Sequence, residues 1–212
     1  MKRKAVIAPV ALGLVLIGAL TIWAATHSDM FSIGTKYPQA ASDSALPSEV
    51  AAEYSGQKVT EEMVEYQLYI DASRPEETRM NYTRSDVINN LLLGYIILDE
   101  AREAGLSVGR EEVQSTIAAS KEAAAENAQA AAVIQDFCDG AGITEEEYWA
   151  RLEEQMYDTL LRMKYENNFL DAYLAGHPGA GQEEAKAAYE QHRQELLRAH
   201  ESEITYYGLS AS

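Results

Sequence analysis

Histidine and cysteine, the usual general bases, nucleophiles and zinc ligands, are few in this chain and poorly grouped. Histidines stand at His27, His177, His192 and His200. None has a histidine or cysteine at the i, i+4 spacing that puts two ligands on one helical face. His192 and His200 lie eight residues apart on one expected helix, too far for joint ligation, and all four are expected at the surface. The single cysteine, Cys138, makes no intrachain disulfide and reads as a small apolar residue on a helix. No glycine-rich loop follows a strand to cradle phosphate, and no nucleophile elbow occurs. Acidic runs such as Glu145-Glu146-Glu147 read as partners of a helix N-terminal dipole. The expectation is a protein with no catalytic residues, no metal and no cofactor.

Charge narrows the partners. The 212 residues carry 17 Lys and Arg against 34 Asp and Glu, a net −17. Three of the bases, Lys2, Arg3 and Lys4, precede a long apolar run, leaving 14 basic against 34 acidic residues and a net −20 beyond it. Such a surface repels phosphate backbones and anionic head groups, so nucleic acid is not an expected partner.

The elements divide the chain into four parts. A basic tip covers 1–4. The run 5–25 is uncharged over 21 residues, which as a helix would span roughly 32 Å, enough for a bilayer core. It reads as an uncleaved signal anchor, N-terminus cytoplasmic and the rest extracytoplasmic, with Trp23 at the outer interface. Cleavage after Thr21, with Ala19 at −3, is the alternative and would give a secreted protein. Residues 26–48 contain Gly34, Pro38 and Pro47 without apolar periodicity and read as a flexible stalk. A globular domain is expected over 49–212.

Within that domain a short strand near Val50–Tyr54 precedes a helix capped by Thr60 and carrying Met63, Tyr66, Tyr69 and Ile70. The stretch from Ser73 to Thr83 is a loop. A second helix, starting near Ser85, is apolar almost all round and must be buried on several sides; Gly105 ends it. A third opens after Gly109 and runs through the alanine-rich stretch Ala118 to Ala132 as a long solvated helix. A fourth starts with a Thr144–Glu147 capping box and continues to Ala175, its apolar stripe built on Trp149, Leu152, Met156, Leu160 and Met163. A fifth covers about Gln182 to Ala199. The alternating stretch Ile204–Tyr207 is a strand whose expected partner is Val50–Tyr54. The fold class is mainly α and elongated, with a minor two-stranded β element, preceded by one transmembrane helix.

Three segments recur in a telling order: Tyr54-Ser-Gly-Gln-Lys-Val-Thr-Glu-Glu-Met63; Asn89 through Val108 followed by Arg110-Glu-Glu-Val113; and Gly142-Ile-Thr-Glu-Glu-Glu-Tyr148. Their order and spacing resemble the N-terminal chaperone domain of SurA/PrsA-type extracytoplasmic foldases over roughly Val50 to Tyr207. Ser55 stands where the family commonly has Asn, and Gly109 where it commonly has a capping Ser. In the family a parvulin-type prolyl isomerase domain follows the closing strand. No such domain is expected here, because only five residues follow Tyr207.

The resemblance implies a membrane-anchored, chaperone-like holdase whose partners are unfolded or newly secreted polypeptides. Apolar client segments would be buried between helices. Methionine adapts its shape to such segments, and tyrosine pairs apolar area with a hydrogen-bonding tip. The candidate client-binding residues are Met63, Tyr66, Tyr69, Met80, Tyr82, Met156 and Tyr157. The alternatives are a non-catalytic scaffold or regulatory partner of one envelope protein and, at a greater remove, a relative of prolyl isomerases.

Overall fold

The computed structural model describes residues 30–37 and 49–207. The basic tip, the apolar run 5–25 with its cleavage alternative, and most of the 26–48 segment lie outside them. No helix among the described residues is long and apolar enough to cross a membrane. Two compact units can be told apart. The first takes 30–37, Tyr69–Met80 and Val108–Tyr157; the second takes 49–68, Asn81–Ser107 and 158–207.

The second unit is organised by a hairpin. Strand β1 (Val50–Tyr54) pairs antiparallel with β2 (Gln57–Thr60) in the register Tyr54↔Gln57, Glu53↔Lys58 and Ala52↔Val59. Ser55 and Gly56 both adopt positive φ, +50° and +82°, the conformation a two-residue turn needs to follow the strands' twist. A two-stranded sheet was the expectation; the sheet has three strands, because residues 57–60 form β2 rather than a helix lead-in. Strand β3 (Ile204–Tyr206) takes the other side of β1, pairing Tyr54↔Ile204 and Ala52↔Tyr206, so the two expected strands do meet. Helix α1 (Met30–Thr35) belongs to the first unit and is described below. Helix α2 (Glu61–Ala72) follows β2 directly, with the Met63 amide donating to Thr60 Oγ1 at 3.2 Å.

Helix α3 (Arg84–Glu103) buries Val87, Ile88, Leu92, Leu93, Ile96, Ile97, Leu98 and Ala101. It packs against Ala51, Ala52, Tyr54 and Val59 of the sheet, and against Leu196. Each such Leu or Ile contributes about 1.5–3 kcal/mol relative to exposure, which makes this cluster the unit's main source of stability. The helix begins one residue before Ser85, because Thr83 and Asp86 cap it reciprocally: the Thr83 amide donates to Asp86 Oδ2 at 2.8 Å and the Asp86 amide to Thr83 Oγ1 at 3.2 Å. It ends at Gly105, φ +74°, with the Leu106 amide on the Ala101 carbonyl and the Gly105 amide on the Arg102 carbonyl.

In the first unit the alanine-rich stretch is two helices, α4 (Arg110–Glu126) and α5 (Ala128–Ala141), where one long helix was expected. Asn127 sits between them in extended conformation, its Oδ1 accepting from the amides of Gln129 and Ala130. An Asn side chain offers the backbone a cap that competes with helix continuation. The stretch is not a solvated rod either, since Ala124, Ala130, Ile134 and Cys138 are buried with Trp149. Helix α6 (Glu145–Gly176) opens with the expected box, the Thr144 amide on Glu147 Oε2 at 2.7 Å and the Glu147 amide on Thr144 Oγ1 at 3.1 Å, and runs unbroken for 32 residues. Helix α7 (Gln182–Ala199) follows in the second unit.

Residues 30–35 contradict the reading of 26–48 as a flexible stalk. They form helix α1, with Ile33 fully buried against the end of α5. The approach needs two glycines: a Cβ on Gly34 would lie 2.3 Å from the Phe137 carbonyl oxygen, and one on Gly140 would lie 2.0 Å from that of Phe31.

Candidate functional site

A broad, open groove lies in the first unit, with a volume of about 650 Å³. One wall is the start of α4, where Arg110 occupies the first turn and Val113 the next, with Val108 just before. The other wall is α6, where Ala150, Glu153, Glu154 and Tyr157 stand at i, i+3, i+4 and i+7 and so share one face. Val108 and Val113 are buried and form an apolar floor; Tyr157 is 36 % exposed and offers a ring with a polar tip. Arg110, Glu153 and Glu154 form no ion pair among the described residues. The groove therefore combines apolar surface with one cation and two anions whose charges are uncommitted.

A smaller depression of about 80 Å³ in the same unit is bounded by Tyr37, Phe137, Ile143, Tyr148, Arg151, Leu152 and Gln155. Tyr37 and Phe137 meet edge to face at 5.4 Å, the Arg151 guanidinium lies 5.7 Å from the Tyr37 ring centre, and Gln155 Nε2 donates to Tyr37 Oη at 3.3 Å. Burial, with smaller contributions from Cys138 and Tyr37, pushes the Tyr148 hydroxyl up to about 12, so it stays a neutral wall of the depression.

Of the histidines of the second unit, His177 is exposed as expected, whereas His192 and His200 are half-buried. Tyr165, Phe169, Tyr173 and His177 recur every four residues along α6. His192 of α7 stacks on Phe169 with ring centres 4.7 Å apart, and its Nε2 lies 2.9 Å from Tyr165 Oη. His177 stacks on Tyr173 at 4.1 Å. The four-residue spacing was visible in the sequence, but it reads as a ladder only once α7 supplies the opposing rings. His200 lies with Nδ1 2.8 Å from Glu203 and Nε2 3.2 Å from Glu100, while Tyr54 Oη is 3.4 Å from Nδ1. Burial pulls the His200 pKa down, but hydrogen bonds to, and the charges of, the two carboxylates outweigh it and leave the imidazole easier to protonate than usual. No group of three or more His, Cys, Asp or Glu among the described residues is placed to hold a metal ion.

The seven predicted client-binding residues fall in both units. Met63, Tyr66 and Tyr82 belong to the second; Tyr69, Met80, Met156 and Tyr157 to the first. Met80 at 58 % and Tyr82 at 36 % are exposed, and Met63, Tyr66 and Tyr69 are half-buried. Met156 is corrected: at 2 % exposure it belongs to the core, because it follows the inward stripe of α6 while its neighbour Tyr157 turns outward. Tyr157 alone among the seven lines the groove. The groove's other residues went unnoticed in sequence because Val108 and Val113 look like ordinary core positions, and Glu153 and Glu154 like a solvated face.

Comparison with protein-family models, with curated proteins and with solved structures returned no match to this chain.

Proposed function

We propose that this chain is a membrane-tethered, extracytoplasmic holdase that binds unfolded or newly secreted polypeptides, and that the groove between α4 and α6 is where it takes them. The observation that carries the reading is the groove itself, open along one side, apolar at its floor and bearing unpaired charge at its rim. An extended segment satisfies its own backbone with water on the open side while its apolar side chains enter the groove. The rim and the net −17 of the chain favour clients whose apolar stretches are flanked by Lys or Arg. The foldase-like order of segments and the apolar run 5–25 support the same role and place. Nothing in such contacts reads a particular sequence, which suits many clients.

The test is light scattering of several unrelated, chemically unfolded proteins diluted into buffer with the whole chain held in nanodiscs. Suppression of aggregation across those clients near equimolar ratio is the expected result. Loss of suppression for all of them overturns the reading, and a single stoichiometric envelope partner would then mark the chain as a scaffold.

A further inference from the structure

Where the chain attaches to its tether follows from α1. The uncharged run ends at Ala25 and α1 begins at Met30, so only residues 26–29 lie between them. Fully extended, that stretch spans no more than about 18 Å. Helix α1 is not a bead on a stalk. The Gly34 and Gly140 contacts seat it on α5 at backbone distance, and Ile33 is fully buried there. A side chain at either glycine would drive the two helices apart, so the contact is specific to this pair of positions. The outward side of α1 is unlike the rest of this acidic chain: the helix MFSIGT has no charged residue, and Phe31 leaves 52 % of its surface exposed.

We infer that α1 rests against the lipid bilayer surface with Phe31 at the interface, so that the first unit, and the groove in it, is held at the membrane rather than on the whole 26–48 stretch. This rests on the reading of 5–25 as an uncleaved anchor. An exposed aromatic on an uncharged helix gains from the interface, and the absence of acidic side chains on α1 removes the repulsion that an anionic leaflet would exert on other faces. Clients would then be met as they leave the membrane.

The test places a donor fluorophore on Asp139→Cys, an exposed position next to Gly140, in the full chain reconstituted into phosphatidylcholine vesicles carrying an acceptor on the head group. The native Cys138 is buried and does not compete for label. Two insertions of about twenty Gly and Ser residues, each adding roughly 25 Å of reach, are compared: one between Thr26 and His27, the other between Ala41 and Ser42. Efficient transfer in the unmodified chain, a several-fold drop with the first insertion and no change with the second is the expected result. Equal drops with both insertions, no response to either, or weak transfer in the unmodified chain overturns the inference while leaving the anchor intact. A chain that fails to stay on the vesicles removes the anchor reading itself, and this inference with it.

Discussion

His200 and Glu100 face each other at 3.2 Å, with Glu203 at 2.8 Å on the other ring nitrogen, so that one imidazole joins α3 to the residues leading into β3. Protonated, the ring donates to both carboxylates; neutral, it donates to only one. Its pKa in the folded protein is raised above the ordinary histidine value. The stabilisation is therefore fully present below about pH 6.5, the unfolded value, and is lost as pH rises through the folded one. Glu203 is half exposed, so the effect is discounted to on the order of 1 kcal/mol. Denaturant titrations at about pH 5.5 and about pH 8.5 should show the wild type losing this increment at the higher pH. His200→Asn should flatten the difference, and an undiminished pH dependence in that variant would remove His200 as its source.

Gly140→Ala should uncouple α1 from α5. Alanine ordinarily favours a helix interior over glycine by about 1 kcal/mol. Here its Cβ would meet the Phe31 carbonyl oxygen at 2.0 Å, a backbone atom that cannot rotate away. Overpacking of this kind costs about 1–3 kcal/mol, so the loss wins. Limited trypsin digestion reads the outcome at Lys36, one residue past the α1 segment. Cleavage there should be several-fold faster in the variant, and an unchanged rate would mean that α1 does not depend on the close approach.

The strongest local signals were legible in the sequence. Thr144 and Glu147 announced the start of α6, Gly105 the end of α3, and the alternation after Glu203 a strand that pairs with Val50–Tyr54. Features set by competition between weak local preferences were not. Thr60 signals a helix cap, which drew residues 57–60 toward α2 and hid that the turn at Ser55 and Gly56 closes a hairpin with β2. Alanine's helix propensity concealed the cap at Asn127. The helix at Met30–Thr35 has only six residues, and it is seated where Gly34 and Gly140 let it approach α5. The candidate site was the least legible part. Tyr157 was picked for its residue type, whereas the rest of the groove is defined by the facing of α4 and α6, which no single segment encodes.

Adjacent residues on α6 should separate binding from stability. Met156 is buried and Tyr157 is on the groove wall. Met156→Ala leaves a cavity and should cost about 2–5 kcal/mol of stability. Tyr157→Ala, at a residue 36 % exposed, should cost less stability than Met156→Ala, yet weaken binding of an apolar, Lys-flanked peptide several-fold by fluorescence anisotropy. Glu153→Gln with Glu154→Gln should weaken the same peptide mainly at low salt, because exposed charge is screened over about 8 Å at physiological ionic strength. Equal binding by the Tyr157 variant and the wild type would remove the groove as the client site.

Cys138 gives a direct reading of how the first unit opens. It is buried with Ala124, Ala130, Ile134 and Trp149, and burial, followed by the charges of Glu145 and Asp139, pushes its thiol pKa up. Both effects suppress the thiolate that reacts with maleimides and disulfide reagents. The folded protein should therefore react at least about 100-fold more slowly than the unfolded chain, with the rate set by opening rather than by reagent access. Because Cys138 lies beside the α1–α5 contact, Gly140→Ala should raise the labelling rate without denaturant, whereas His200→Asn, in the second unit, should leave it unchanged. If both variants accelerated labelling alike, the two units would open as one cooperative body, and Cys138 would report global unfolding instead of the release of α1.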